Sequence, residues 1–305
     1  MRDVGLGVGC LLACLVGLVL RMGQFRSRGR FRRRVLNRKE RSVIAPLSML
    51  GLAVTVPAFA FQPLITDDTG VQGAGGNQLE FAYVGQRTHA PGVNDKLHER
   101  FDALPFVFTR GLTDSIDVFA GIASVRERHS NGGGRDVGGF SNGVVGAKWR
   151  FFDDEDWGTS LALKPEIYLP VSDNRENAGL GMGKTSYGLT FILTQVVSFG
   201  TVHFNIRPSR DRYRDTQTNP NNTGLRVSVA PVWDVSEQWK LELDVGTIGD
   251  RSQGNTVRTN YGELGAIYSP NKDLDLSAGY LHSRDDDHHN TISNLFTVGV
   301  TWRFR

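Results

Sequence analysis

The chain has 305 residues with 35 Lys+Arg and 32 Asp+Glu, a formal net charge of +3 and a pI near 8.9. Its basicity is confined to the start: residues 1–60 carry 11 Lys+Arg against 2 Asp+Glu, leaving 24 basic against 30 acidic residues beyond Ala60. Both cysteines, Cys10 and Cys14, fall in the same stretch, so the body excludes disulfides, thiolate metal sites and cysteine nucleophiles, and its acidity argues against a nucleic-acid partner.

Residues 1–60 read as a signal-peptide region. A basic run from Arg26 to Arg41 precedes an apolar stretch from Val43 to Val56 and then Pro57-Ala58-Phe59-Ala60, an Ala-x-Ala cleavage site that predicts a mature start at Phe61. The apolar segment from Val4 to Leu20 is superfluous to that signal, and residues 1–21 are read as an over-extended start. Leu11-Leu12-Ala13-Cys14 has the shape of a lipoprotein acylation site, but Arg2 and Asp3 make a poor charged region for one. No apolar run of helix length follows Ala60, so export is expected to go to completion.

Residues 61–77, rich in Gly, Thr and Asp, are expected to form a periplasmic N-terminal segment, with a barrel from 78 to 305. Alternation of apolar and polar residues predicts about twelve strands: 78–86, 99–109, 115–126, 143–152, 158–169, 185–197, 201–208, 224–234, 239–249, 260–269, 273–283 and 293–304. Connections alternate in length. Tight turns are expected near Gly111–Asp114, Asp153–Trp157, Ser198–Gly200, Val235–Gln238 and Ser269–Lys272. Long polar loops are expected at 87–98, 127–142, 170–184, 209–223, 250–259 and 284–292. That order fits an all-β, transmembrane up-and-down antiparallel barrel with short periplasmic turns and long outer loops, and a Greek-key sandwich has no reason to keep it. Trp149, Trp157, Trp233, Trp239 and Trp302 lie beside the predicted tight turns or the C-terminus, as an aromatic girdle at one rim requires.

The polar strand faces hold the pore-lining candidates Lys148, Arg150, Lys164, Glu166, His203, Arg207, Arg226, Glu242, Asp244 and Glu263, with Lys240 beside them. Their mixed signs suit a salt-bridge lattice, a solute-selecting lining, or both. No cofactor, metal or catalytic residue is assigned. Gly132-Gly133-Gly134 lacks the context of a phosphate loop. Asp285-Asp286-Asp287-His288-His289 offers ligand chemistry, but adjacent loop acids are ordinarily only solvated. His203, with Asn205 and Arg207 near it, has no serine that the sequence places against it.

The segment Thr66-Asp67-Asp68-Thr69-Gly70, preceded by Pro63-Leu64-Ile65 and followed by Gln78-Leu79-Glu80, resembles the meta-pathway of phenol degradation family of outer-membrane proteins, which are described as transporters. The resemblance runs from about Phe61 to the C-terminus. It implies a barrel channel, in some members linked to uptake of aromatic compounds, and no catalytic residues. The expected function is diffusion of a small solute, aromatic or apolar, across the outer membrane of a Gram-negative bacterium. The alternatives are an outer-membrane enzyme acting on lipid or lipopolysaccharide, and a surface-binding barrel that uses its long loops. The expected partners are outer-membrane lipid and lipopolysaccharide, the solute, and the barrel-assembly machinery. The last strand ends Trp302-Arg303-Phe304-Arg305, which resembles the C-terminal assembly signal except that the aromatic Phe304 is penultimate.

Overall fold

A computed structural model describes residues 63–90, 97–129, 136–286 and 290–305. The leader, the cleavage site, the Gly132–Gly134 run and Asp287, His288 and His289 lie outside the described residues.

Strands β1 (Asn77–Ala90), β2 (Leu97–Gly111), β3 (Ile116–His129), β4 (Val137–Phe140), β5 (Val144–Asp154), β6 (Thr159–Tyr168), β7 (Ser186–Val197), β8 (Gly200–Asp211), β9 (Asn222–Asp234), β10 (Trp239–Ser252), β11 (Asn255–Asn271), β12 (Leu274–Asp285) and β13 (Ile292–Phe304) form one antiparallel sheet. Consecutive strands pair, and β1 pairs with both β2 and β13, so the sheet closes. The four-residue β4 pairs with the far end of β3 and β5 with its near end, so these two share one stave of a twelve-stranded barrel. Closure gives every strand two neighbours, which a bilayer demands because its core offers no water to satisfy an open edge.

Alternation puts the large apolar side chains outside. Phe81, Leu104, Phe106, Ile122, Phe191, Leu264 and Phe296 are exposed, while Thr297 and Thr301, next to Phe296 and Trp302 in β13, are buried inside. A soluble protein does not present such a continuous apolar band, whereas a lipid-facing barrel requires one. All five tryptophans are exposed near the short-turn rim. Four pack against a ring beside them: Trp149–Phe151, Trp233–Phe199, Trp239–Tyr268 and Trp302–Phe304, with centroids 4.7 to 5.7 Å apart.

Two expectations need correction. The connection expected as a long loop over 250–259 is a hairpin: β10 and β11 stay paired out to Ser252 and Asn255. The two turn residues Gln253 and Gly254 both have positive φ, 48° and 83°, the mirror-image turn whose twist matches that of the flanking strands. The segment expected in the periplasm does not lie outside the barrel either, since residues 64–69 are in contact with the inner wall. The short helix α1 (Asp173–Asn177) lies in the loop after β6 and was not foreseen as an element.

Candidate functional site: the lumen and its N-terminal plug

Inward-facing polar side chains on a closed barrel need partners, because the lumen is too narrow to give each one its own water shell. Here the N-terminal segment supplies many of them. Pro63 lies against Gly265 of β11 and Gly279 of β12, where even a single added carbon on either glycine would collide with its ring. Leu64 packs with Ala230 and Val232 of β9. The Thr66 amide donates to Asp244 Oδ2 at 2.7 Å and its hydroxyl to Ser228 Oγ at 2.7 Å. Asp67 and Asn205 of β8 exchange two hydrogen bonds of 2.8 Å, backbone to side chain in each direction. Thr69 reaches Thr194 of β7 and Ser160 of β6. The Gln72 amide donates to both oxygens of Asp117 on β3, and Gln72 Nε2 donates to Gln78 Oε1 on β1 at 2.9 Å. The segment thus crosses the lumen from the β11–β12 wall to the β1–β3 wall.

Asp67 is the electrostatic centre of this crossing. Lys148 Nζ donates to its Oδ1 at 3.0 Å and Lys164 Nζ to its Oδ2 at 2.5 Å. Burial pushes the Asp67 carboxyl up, but the two ammonium groups outweigh burial and hold it below the ordinary carboxylate value. Lys148 also donates to the Asp68 carbonyl, and Asp68 turns back to cap its own loop by accepting from the Gly70 amide at 2.7 Å. Burial likewise raises Asp68, and Lys148 with His203 overrides it downward. Lys164 sits 5.1 Å from the centroid of the Phe119 ring, so its charge is held on three sides by Asp67, the ring and the wall.

The ten candidate residues are placed as follows. Lys164, Glu166, His203, Arg207, Arg226, Glu242, Asp244 and Glu263 are buried in the interior. Lys148 is largely buried beside Asp67, and Arg150 lies half-buried at the short-turn rim, bonded to the Asp114 carbonyl and paired with Asp153. Lys240 is also at that rim, paired with Asp234. Lys148, Lys164 and Asp244 converge on the plug. Glu166 and Arg207 form a second group, 3.2 Å apart, with Arg207 also donating to Tyr168 Oη at 2.8 Å. His203 has both ring nitrogens engaged, Nδ1 with Thr194 at 2.9 Å and Nε2 with Thr201 at 3.2 Å. Glu242 has neither carboxylate oxygen hydrogen-bonded. The backbone amide of Ile65 approaches Glu263 without reaching ordinary hydrogen-bond geometry. Asp285 and Asp286 accept from Thr259 and the Arg258 amide, and among the described residues no cluster of acids and imidazoles has metal-site geometry.

Part of the wall, on β1 to β3 and the loop ends of β5 and β6, is apolar, which strand alternation alone did not reveal. Ala82, Val107, Phe119 and Val144 face inward with Tyr168, and Met182 of the loop after β6 descends onto them. A second cluster nearer the long loops joins Val84, Ala103, Ala123 and Val125 to Leu180 of that loop. The loop is pinned twice. Asn142 accepts from the Met182 amide and donates to the carbonyls of Leu169 and Met182, while the Arg214 amide donates to Glu176 Oε1 at 2.7 Å. Below the apolar wall lies a cavity of about 330 Å³, bordered by Phe119, Asp68, Gln72, Glu80, Lys148 and Arg303. Leu180 and Met182, which cover the apolar wall, come from a loop whose composition gave no signal of its direction.

A solved structure shares this architecture. A COG4313 outer membrane channel from Pseudomonas putida F1 superposes with a TM-score of 0.61 at 14% identity, covering 78% of this chain and 98% of that one. The translocator domain of the autotransporter NalP from Neisseria meningitidis matches with a TM-score of 0.48 at 11% identity, over 77% of this chain and 91% of that one. The beta domain of the Bordetella autotransporter BrkA also scores 0.48, at 15% identity over 76% of this chain and all of that one. No curated protein matches the chain in sequence. A family model matches residues 66–304, from the first threonine of the Thr-Asp-Asp-Thr-Gly segment to the last strand residue, and the chain belongs to the MetA-pathway of phenol degradation family.

Proposed function

We propose that this barrel carries a small apolar or aromatic solute bearing one polar group across the outer membrane, with its long loops outward and its short turns in the periplasm. The observation that carries this reading is the two-sided lumen. An apolar wall runs from Leu180 at the loop end to Phe119, and Phe119 also borders the polar cavity beside Lys148 and Asp68. Leu180 and Met182 pack on this wall, so a ring would travel along it when their loop moves aside, and its polar group would meet charge at the cavity. The cavity volume lies at the lower end of what small-molecule sites occupy, roughly 300–1,000 Å³. Diffusion, and not catalysis, is supported by His203, whose nitrogens are tied to threonine hydroxyls in the wall. The family match and the outer-membrane fold support the same class of function.

The test is flux into proteoliposomes of a single-ring carboxylic acid against a hexose. The acid should enter faster, and Val107→Asp, which places a charge on the apolar wall, should slow it several-fold without unfolding the barrel. Equal rates for both solutes, or no effect of Val107→Asp, would contradict the reading.

A further inference from the structure

The outer surface near the long loops carries a feature that transport through the lumen does not use. In the β1–β2 ladder Arg87 stands directly opposite Arg100, and in the β2–β3 ladder Arg100 stands directly opposite Arg128. All three face outward, on the faces that lower down expose Phe81, Leu104, Phe106 and Ile122. Directly opposed residues have Cβ atoms about 5 Å apart, and like charges in that relation destabilise a sheet. Three in a row need an anion.

The protein supplies part of one. Asp102, one step nearer the barrel middle, accepts from Arg100 and pairs with Arg128 at 3.5 Å, and the Tyr83 hydroxyl donates to the same carboxylate at 2.6 Å. Arg126, directly across from Asp102, pairs with Asp136. Arg87 meets no ion-pair or hydrogen-bond partner among the described residues. Glu99 and Glu127, the acids adjacent in sequence to Arg100 and Arg128, lie on the opposite strand face. Among the described residues the patch therefore holds four arginines against two carboxylates.

We propose that Arg87, Arg100 and Arg128 form a docking site for the phosphate of a phosphorylated outer-leaflet glycolipid, with its acyl chains lying on Phe81, Leu104, Phe106 and Ile122. The geometry favours a lipid over free phosphate because the cationic row stands on the same outward strand faces as the exposed apolar side chains, with Leu104 two outward positions from Arg100 and Asp102 between them. Guanidinium groups suit the partner, since each presents paired donors to phosphate oxygens. The site is independent of what crosses the lumen. Its position at the end opposite the tryptophan girdle puts it at the outer leaflet when the long loops face outward.

Binding is measured by native mass spectrometry of the purified, folded barrel in mild detergent, titrated with a bisphosphorylated lipid A, the same glycolipid after phosphatase treatment, and inorganic phosphate. Folding of each variant is checked by heat-modifiable gel migration. At about fivefold per arginine, Arg87→Ala, Arg100→Ala and Arg128→Ala together should weaken lipid A binding roughly a hundredfold. A control pair, Arg210→Ala with Arg251→Ala, removes two outward arginines at the same rim that flank Thr223 of β9 and are not opposed to each other. That pair should bind as the unaltered protein does. Dephosphorylated glycolipid should bind as weakly as the triple variant, and millimolar inorganic phosphate should not compete. Unchanged binding by the triple variant, an equal loss in the control pair, equal binding of the dephosphorylated glycolipid, or full competition by inorganic phosphate would each overturn the proposal.

Discussion

Removing the Asp67 carboxylate would take from two buried ammonium groups, Lys148 and Lys164, the acid they share at the plug, leaving Lys148 only the more distant Asp68 carboxylate at 3.5 Å. Breaking a buried ion pair from one side costs about 3–5 kcal/mol, because the surviving charge is stranded without water. Asp67→Ala should therefore release the N-terminal segment from the lumen, and proteolysis of residues 63–72 in the folded barrel should quicken by at least an order of magnitude. Asp67→Ala combined with Lys164→Met removes one of the two ammonium groups that shared the carboxylate and should recover part of that protection. The pH dependence has a definite sign. Because the folded-state Asp67 carboxyl sits below its ordinary value of 3.8, its contribution is fully present above that value and is lost as pH falls through the lower, folded value. Protease protection should hold from neutral pH down to about pH 4 and fail only in stronger acid. Loss of protection between pH 7 and 5 would show that another group holds the segment.

Among the elements, the last strand has two tasks. It pairs with β1 along thirteen registered positions, from Asn77 opposite Phe304 to His89 opposite Ile292, and so removes the sheet edge. It also presents Trp302 stacked on Phe304 at 4.7 Å in the short-turn girdle. We predict that Phe304→Ala lowers the yield of heat-modifiable barrel in the outer membrane several-fold, whereas deletion of Arg305 leaves it unchanged; the opposite pattern would remove the strand from the assembly signal. The loop after β6 makes a separate prediction. Glu176→Ala removes the acceptor of the Arg214 amide and one of the two pins on the loop, and should expose Met182 to oxidation by peroxide while the strands stay intact.

The strands were legible because two independent constraints act on them: lipid selects apolar residues on one face, and the rim selects aromatics at one end. Phe296, Val298, Val300 and Trp302 satisfy both. The plug was not legible, since residues 63–72 follow no periodicity and their partners are scattered over the staves, from Lys148 to Asp244. Thr-Asp-Asp-Thr-Gly could be recognised as a motif, but its position required the closed barrel. The β10–β11 hairpin was missed because polar residues such as Asp250, Arg251 and Arg258 read as loop when they are strand residues near the rim. The apolar wall was hidden for a similar reason. Where Ala82, Val84, Ala103 and Val107 face inward, apolar residues occupy both faces and alternation vanishes.

On the scale of the whole molecule, a narrow lumen is entered from two directions, by the N-terminal segment, which bonds to the polar wall, and by Leu180 and Met182, which pack on the apolar wall. Twelve strands give a barrel wider than one filled by its own side chains and narrower than a general porin, so a single crossing segment is enough to close it. The most direct measurement is single-channel conductance in planar bilayers, comparing the unaltered barrel with Asp67→Ala. The unaltered barrel should show low conductance with rare openings, and Asp67→Ala should show larger and longer openings. Equal conductance in the two would mean that the segment does not close the lumen.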